Sequence, residues 1–325
     1  MKTIEIQSPT RIDLSGGTLD LWPLYSFMGG CKTVNLSISV MTQAFLEENH
    51  SQNIEIDIQD LQFRKVYSDL NQVLESQDRE ISLIQEVVRY YKPKRGFKLS
   101  TKSMSPVGGG LGGSSSLVIS ILKAFDQWIG ISRDVHELVK LASNVEAKTL
   151  NTPTGTQDYY PAAIAGLQTL HYGMDGIKQE ILPFPEKLFE DSLLLVYTGR
   201  PHHSGINNWQ VFQKVVDRDK DTCLALQKIK EISEEVYKVC LSKSWNRFPE
   251  LFNQEFEWRL KLSSGFSSPE IEKLKKIVAQ FKNSAVKICG AGGGGCVFIW
   301  TDEKELVRQA IIENGYQILN MRPVS

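Results

Sequence analysis

The sequence has almost no net charge: 37 lysines and arginines stand against 38 aspartates and glutamates, a formal charge of -1. Chains that meet nucleic acid or an anionic membrane through long-range attraction carry a basic surplus, so neither partner class is expected. Long apolar runs are also missing. No stretch approaches the ~20 apolar residues of a membrane span, and the opening Met1-Lys2-Thr3-Ile4-Glu5-Ile6 lacks the apolar core of a secretory signal. Cysteine is sparse. Cys31, Cys223, Cys240, Cys289 and Cys296 are odd in number and lack metal-ligand spacing. They read as reduced thiols, and a cytoplasmic location is expected. The five histidines form no zinc motif, and there are no repeats or low-complexity segments.

What is abundant is glycine, concentrated in two places. Pro106 to Ser116 reads P-V-G-G-G-L-G-G-S-S-S, with five glycines and three serines in eleven residues. Glycine costs backbone entropy on folding, so such density implies that something approaches the main chain closely. The next residues carry Leu117, Val118, Ile121, Leu122, Phe125, Trp128 and Ile129 at helical spacing, and Gly130 sits where a left-handed cap would end the helix. A glycine loop feeding a helix N-terminus offers unpaired N–H groups and the positive end of the dipole, which suits phosphate.

Several templates compete for this loop. A Walker A motif needs a lysine where Ser114 stands, so it fails. A dinucleotide fingerprint fits Gly108, Gly110 and Gly113, with Asp134 about twenty residues on. However, the preceding Phe97 to Lys102 alternates apolar and polar, unlike a strand covered on both faces. A flexible linker predicts neither the leading proline nor the amphipathic helix.

Elsewhere, Thr3 to Ile6, Arg11 to Leu14, Lys32 to Phe45 and Asn53 to Ile58 alternate, so the first hundred residues read as mainly antiparallel strand with a helix over Ile81 to Tyr91. Helix is expected over 132–149, then over 207–216, 221–241, 248–262, 268–281 and 303–314. Strands are expected at 192–197, 286–288, 296–300 and 316–320. The composition shifts near residue 188, which suggests units of 1–187 and 188–325. The second glycine cluster, Gly290-Ala291-Gly292-Gly293-Gly294-Gly295, lies between two of these strands.

The loop Pro106, Gly110, Leu111, Gly112, Ser114 resembles the P-x-x-x-G-L-G-S-S-A loop of the small-molecule kinases named for galactose, homoserine, mevalonate and phosphomevalonate, the GHMP superfamily. Gly113 stands where that family's first serine usually does. The second cluster resembles the family's G-A-G-x-G-G. Arg11-Ile-Asp-Leu-Ser-Gly-Gly-Thr-Leu-Asp20 resembles the sugar-kinase form of its first motif, and is most similar to the heptose 7-phosphate kinase branch, with threonine and acid shifted by one residue. Gln157-Asp158-Tyr-Tyr-Pro-Ala-Ala, closed by Gly166, also resembles that branch.

The resemblance implies an α+β fold of two domains, an N-terminal one like ribosomal protein S5 domain 2 and a ferredoxin-like C-terminal one. It implies ATP and Mg²⁺ as cofactors and a sugar or sugar phosphate as acceptor, in a monomer or homodimer. It further implies that Pro106, Gly108, Gly109, Gly110, Leu111, Gly112, Gly113, Ser114, Ser115, Gly292 and Gly293 hold the nucleotide. Ser114 and Glu146 are the implied metal ligands, Asp158 the general base, and Arg11 its partner at the γ-phosphate. Gly17, Thr18, Asp20, Gly155, Gly293 and Arg200 are the implied acceptor residues, Arg200 with His202 and His203 meeting a substrate phosphate. That last segment also reads as a solvated loop. The implied acceptor is D-glycero-D-manno-heptose 7-phosphate at its anomeric hydroxyl, with fucose, galactose, mevalonate or a catalytically silent regulator as alternatives.

Overall fold

The structure, a computed structural model, describes residues 3–201, 206–290 and 292–325. Eleven strands occur among the described residues: β1 (Thr3–Ser15), β2 (Cys31–Glu48), β3 (Ile54–Ile58), β4 (Phe63–Tyr67), β5 (Phe97–Ser103), β6 (Leu167–Gly173), β7 (Gly176–Leu182), β8 (Leu193–Tyr197), β9 (Ala285–Ile288), β10 (Cys296–Trp300) and β11 (Gln317–Leu319). The first seven form one sheet in the order β4-β3-β5-β2-β6-β7, with β1 paired to β2. The last four form a second sheet, β11-β8-β10-β9, antiparallel throughout.

The two early alternating segments are a single strand, β1, whose register shifts between Pro9 and Thr10. Proline has no N–H to give a ladder, so it sits where pairing is interrupted. β2 pairs with β1 along its length, with β6 through Cys31–Leu36 and with β5 through Thr42–Glu48. The C-terminal segment bonds to the stretch between these: Ser39 N donates to Arg322 O at 2.9 Å and Val324 N to Ser37 O at 3.0 Å. One pair, β3 with β5, is parallel, in a region expected to be antiparallel. The helices Leu70–Glu75 and Ser82–Tyr91 lie in the intervening connection, the crossover a parallel neighbour requires.

The helix Gly113–Ile129 buries Val118, Ile119, Ile121, Leu122, Ala124 and Phe125, and Phe125 meets Phe97 of β5 edge-on at 5.3 Å. Pairing switches from the first sheet to the second between Leu182 and Leu193, but the apolar core does not stop there. Ile12, Leu14, Val34 and Leu36 share a cluster with Leu193, Leu195, Val236, Phe248 and Phe298. At about 25 cal/mol per Å² of apolar surface, a contact of this kind holds the halves as one packed body rather than as beads on a linker. Among the described residues no helix is long and apolar enough to cross a membrane.

Candidate active site

The cleft between the glycine loop and the second half of the chain encloses about 390 Å³. Its first wall is the loop itself. Gly108, Gly110 and Gly112 have φ of 65°, 71° and 69°, while the residues between them do not, the kind of alternation from which backbone N–H groups build an anion-binding concavity; Gly109 N is taken by Pro106 O at 2.8 Å. The helix begins at Gly113, and its first hydrogen bond runs from Ser116 N to Gly112 O at 2.8 Å. The N–H groups of Gly113, Ser114 and Ser115 precede that bond and have no partner within the helix.

The second glycine cluster braces this loop from behind. Cys296 N donates to Gly109 O at 2.7 Å. A Cβ at Gly290 would stand 2.6 Å from Gly110 O, and one at Gly295 would stand 2.7 Å from Gly108 O. Arg11 completes the brace, with Nη1 donating to Gly110 O at 2.9 Å and to Cys289 O at 2.7 Å. Gly292 and Gly293 do not line the cleft, whereas Gly290 does. A Cβ at Gly292 would meet Phe266 O at 2.4 Å, so close packing of backbone accounts for that glycine. Leu111 is buried in the core rather than facing the cleft.

Arg11 also holds Asp158. Nε and Nη2 donate to Asp158 Oδ1 at 2.8 and 2.6 Å; among the described residues Oδ2 accepts no bond. The carboxylate stands beside the loop, its Cβ 3.1 Å from where a side chain on Gly112 would begin. Burial lowers the Arg11 pKa, but the charges of Asp158 and Asp13 outweigh it, so the net displacement is upward and the guanidinium stays charged. Asp20 is 3 % exposed and accepts from Gln157 N at 3.1 Å. Burial and then the charge of Asp158 push its pKa from 3.8 up to about 7. A Cβ at Gly155 would lie 2.0 Å from Asp20 Oδ2, so only glycine lets this segment cross over the acid.

Glu146, on the helix Val135–Leu150, is buried rather than solvated. Burial raises its pKa, against the opposing pull of hydroxyls from Ser114, Tyr159 and Ser115. Ser115 Oγ lies 2.8 Å and Tyr159 Oη 2.5 Å from Oε2. Among the described residues this carboxylate has no cationic partner within salt-bridge distance, and no group of three or more His, Cys, Asp or Glu forms a metal cage. A buried anion beside a phosphate loop suits Mg²⁺, which takes one or two protein ligands and fills its octahedron with phosphates and water.

Sequence reasoning did not anticipate the charges beneath the site. Asp13, Glu255, Arg259 and Lys287 are all buried. Lys287 Nζ lies 3.1 Å from Asp13 Oδ2 and 3.4 Å from Glu255 Oε2, and Arg259 pairs with both acids. Arg259 lines the cleft, as do Asp60, Leu61, Gln157 and Asn208. Arg200 does not; its Nε pairs with Glu270 at 2.9 Å. His202 and His203 lie outside the described residues. Of the implied site residues, the cleft brings together Arg11, Gly17, Thr18, Asp20, Pro106, Gly108–Gly110, Gly112–Ser115, Glu146, Gly155 and Asp158.

Comparison with known proteins decides the family. Residues 81–166 match the GHMP kinases N terminal domain, and residues 225–317 match the GHMP kinases C terminal domain. The chain belongs to the GHMP kinases. As such it is an ATP-dependent phosphotransferase with an alcohol as acceptor. The kinase is 25 % identical over 329 residues to a D-glycero-alpha-D-manno-heptose 7-phosphate kinase of Campylobacter jejuni, covering 97 % of this chain and 95 % of that one. It is also 25 % identical to a mevalonate kinase of Methanocaldococcus jannaschii, covering 98 % of each. A D-glycero-D-manno-heptose 1-phosphate kinase from Bacteroides thetaiotaomicron shares its fold with a TM-score of 0.80, at 24 % identity, over 100 % of this chain and 97 % of that one. The two-domain GHMP kinase fold, with its two sheets, is thus the architecture of this chain.

Proposed function

We propose that this kinase moves the γ-phosphoryl group of Mg·ATP to a hydroxyl of a sugar or sugar phosphate, with the anomeric hydroxyl of D-glycero-D-manno-heptose 7-phosphate as its acceptor. The observation that carries the mechanism is the placement of Asp158: a carboxylate with one oxygen fixed by Arg11 and the other unbonded among the described residues, beside the glycine loop at Gly112. The similarity to heptose phosphate kinases supports the acceptor.

The loop and helix N-terminus bind the β- and γ-phosphates, and the apolar Leu61, Val107, Leu117 and Leu150 along the same cleft suit a purine face. Glu146 and Ser114 would hold Mg²⁺, which supplies charge neutralisation across the phosphates when bound. Asp158 Oδ2 accepts the proton of the attacking hydroxyl. The acceptor's hydroxyl oxygen bonds to the γ-phosphorus as the bond to the β–γ bridging oxygen breaks, and ADP leaves. Arg11 keeps Asp158 aligned and places positive charge where the transferring group passes. The transition state is loose, so positioning and charge supply most of the acceleration, and the base adds about 10²–10⁴-fold.

One observation favours a second reading, an unphosphorylated polyol. The only cations lining the cleft among the described residues are Arg11 and Arg259, and both are already paired with carboxylates. ADP release from Mg·ATP across sugars, sugar phosphates and mevalonate separates these readings. Turnover highest with heptose 7-phosphate supports the first; turnover highest with a neutral sugar replaces it with the second; turnover with mevalonate alone rejects both.

A further inference from the structure

Across the cleft from the phosphate loop stands a wall drawn from both halves of the chain. Arg259, on the helix Phe248–Leu262, is 1 % exposed yet lines the cleft. A guanidinium has five N–H donors. Nε gives one to Glu255 Oε2 at 3.3 Å; Nη2 gives its two to Glu255 Oε1 and to Asp13 Oδ2; Nη1 gives one to Thr18 Oγ1 at 3.2 Å. Among the described residues one Nη1 donor remains. Thr18 is held at φ 73°, a left-handed conformation that costs a threonine energy and accumulates at functional sites. Its hydroxyl accepts from Arg259 and donates to Asn208 Oδ1 at 2.9 Å, and among the described residues the Asn208 amide N–H groups have no partner.

The opposing groups are acceptors. Gln157 is 6 % exposed and lines the cleft, and its buried Oε1 has no partner among the described residues. Asp20 beside it accepts from the backbone of Gln157. A buried acceptor left unpaired costs about 1–3 kcal/mol, so Gln157 Oε1 is placed for a donor that comes and goes.

We infer that Arg259, Asn208, Gln157 and Asp20 form a specificity-determining wall that reads neutral hydroxyls of the acceptor, with Arg259 and Asn208 supplying this selectivity from the second half of the chain. A hydroxyl both donates and accepts, so adjacent hydroxyls satisfy the spare donors of Arg259 and Asn208 and the waiting acceptor of Gln157 together, with Asp20 beside it as a further partner. A carboxylate or phosphate only accepts. It would leave Gln157 Oε1 unmet, while the charge of Arg259 is already balanced by Asp13 and Glu255. The inference rests on the reading that the acceptor lies beside Asp158.

The test is calorimetric binding of mannose, galactose, fucose, heptose 7-phosphate and mevalonate to the kinase holding a non-hydrolysable ATP analogue and Mg²⁺. It compares the native chain with Asn208→Leu and Gln157→Met. Arg259 itself is left in place, because removing it would leave buried Asp13 and Glu255 to share Lys287 as their one ion-pair partner among the described residues. The expected result is that Kd for the best-bound sugar rises about 10–100-fold in each variant, the loss of one hydrogen bond to a buried polar group. Nucleotide Kd should stay within twofold. Deoxygenating the sugar at the reading position should cost the native chain that factor and the variant nothing further. Sugar affinity unmoved by both substitutions, mevalonate binding tighter than every sugar, or no sugar binding at millimolar concentration would each overturn the inference. Sugar binding that responds as expected without any ADP release in the turnover assay would uphold the wall and reject the phosphoryl-transfer assignment.

Discussion

Replacing Asp20 by asparagine should make stability respond to pH in a way that can be worked out from the site. The acid is buried and faces Asp158, and its pKa is displaced from 3.8 to about 7, chiefly by burial and then by that charge. A folded-state pKa above the unfolded value means the folded protein holds the proton more tightly. Below about pH 4 the acid is protonated in both states and costs nothing. As pH rises towards 7 the unfolded chain ionises freely and the folded one does not, so native stability falls. The displacement is 7 − 3.8 = 3.2 units, and at 1.36 kcal/mol per unit this penalty reaches about 4 kcal/mol above pH 7. Domains are stable by only about 5–15 kcal/mol, so the effect is large. Asparagine can still accept from Gln157 N and cannot ionise. Urea unfolding between pH 4 and 8 should show Asp20→Asn gaining on the native chain by roughly 4 kcal/mol across that window, with unchanged m-values. Parallel stability curves, or a variant that loses ground as pH rises, would refute the reasoning.

Three further substitutions probe other parts of the site, and a fourth, outside it, serves as their control. Asp158→Asn should lower kcat by about 10²–10⁴-fold with little change in nucleotide Kd, because the base acts on the acceptor; a fully active variant removes Asp158 from that role. Tyr159→Phe takes a 2.5 Å hydroxyl from buried Glu146, a loss of about 1.5–3 kcal/mol for a bond to a charged group. Its Mg²⁺ requirement, followed by nucleotide binding during metal titration, should rise; an unchanged requirement would separate Tyr159 from the metal. Gly295→Ala drives a Cβ to 2.7 Å from Gly108 O at φ 71° and should weaken nucleotide binding as well as stability, whereas Gly130→Ala, at φ 84° with open space around it, should cost only the ~1–2 kcal/mol of left-handed backbone. Equal effects on nucleotide affinity would show that the two glycine clusters are not coupled.

The glycine loop, the helix after it and most second-half elements were readable because they rest on local signals. Apolar residues recur at helical spacing, and the helix over 248–262 and the strand over 296–300 lie where the pattern predicted. The strand β4, Phe63-Arg-Lys-Val-Tyr, is an edge strand with little buried and leaves a weak pattern, whereas the β6–β7 hairpin, which turns at Met174-Asp175, was legible in the turn dipeptide Asp175-Gly176 and was passed over. Glu255 and Arg259, four residues apart on a helix, look like a solvated pair, yet both are buried because Asp13 and Lys287 meet them from two distant strands. Lys287, flanked by Val286 and Ile288, likewise looks outward-facing until the strand opposite is known. Such long-range charge pairing leaves no periodic trace. The second glycine cluster was legible as a motif, but only the packing shows that Gly290 and Gly295 touch the first loop while Gly292 fits against Phe266.

The central claim is that the triphosphate rests on the N–H groups of residues 108–115 with its terminal phosphorus facing Asp158. A crystal structure of the kinase with a non-hydrolysable ATP analogue and Mg²⁺ tests it most directly. The expected result is the phosphates on that loop, the metal at Glu146 and Ser114, and Asp158 Oδ2 open towards the γ-phosphate. Phosphates bound elsewhere, or Asp158 turned away from the terminal phosphorus, would contradict it.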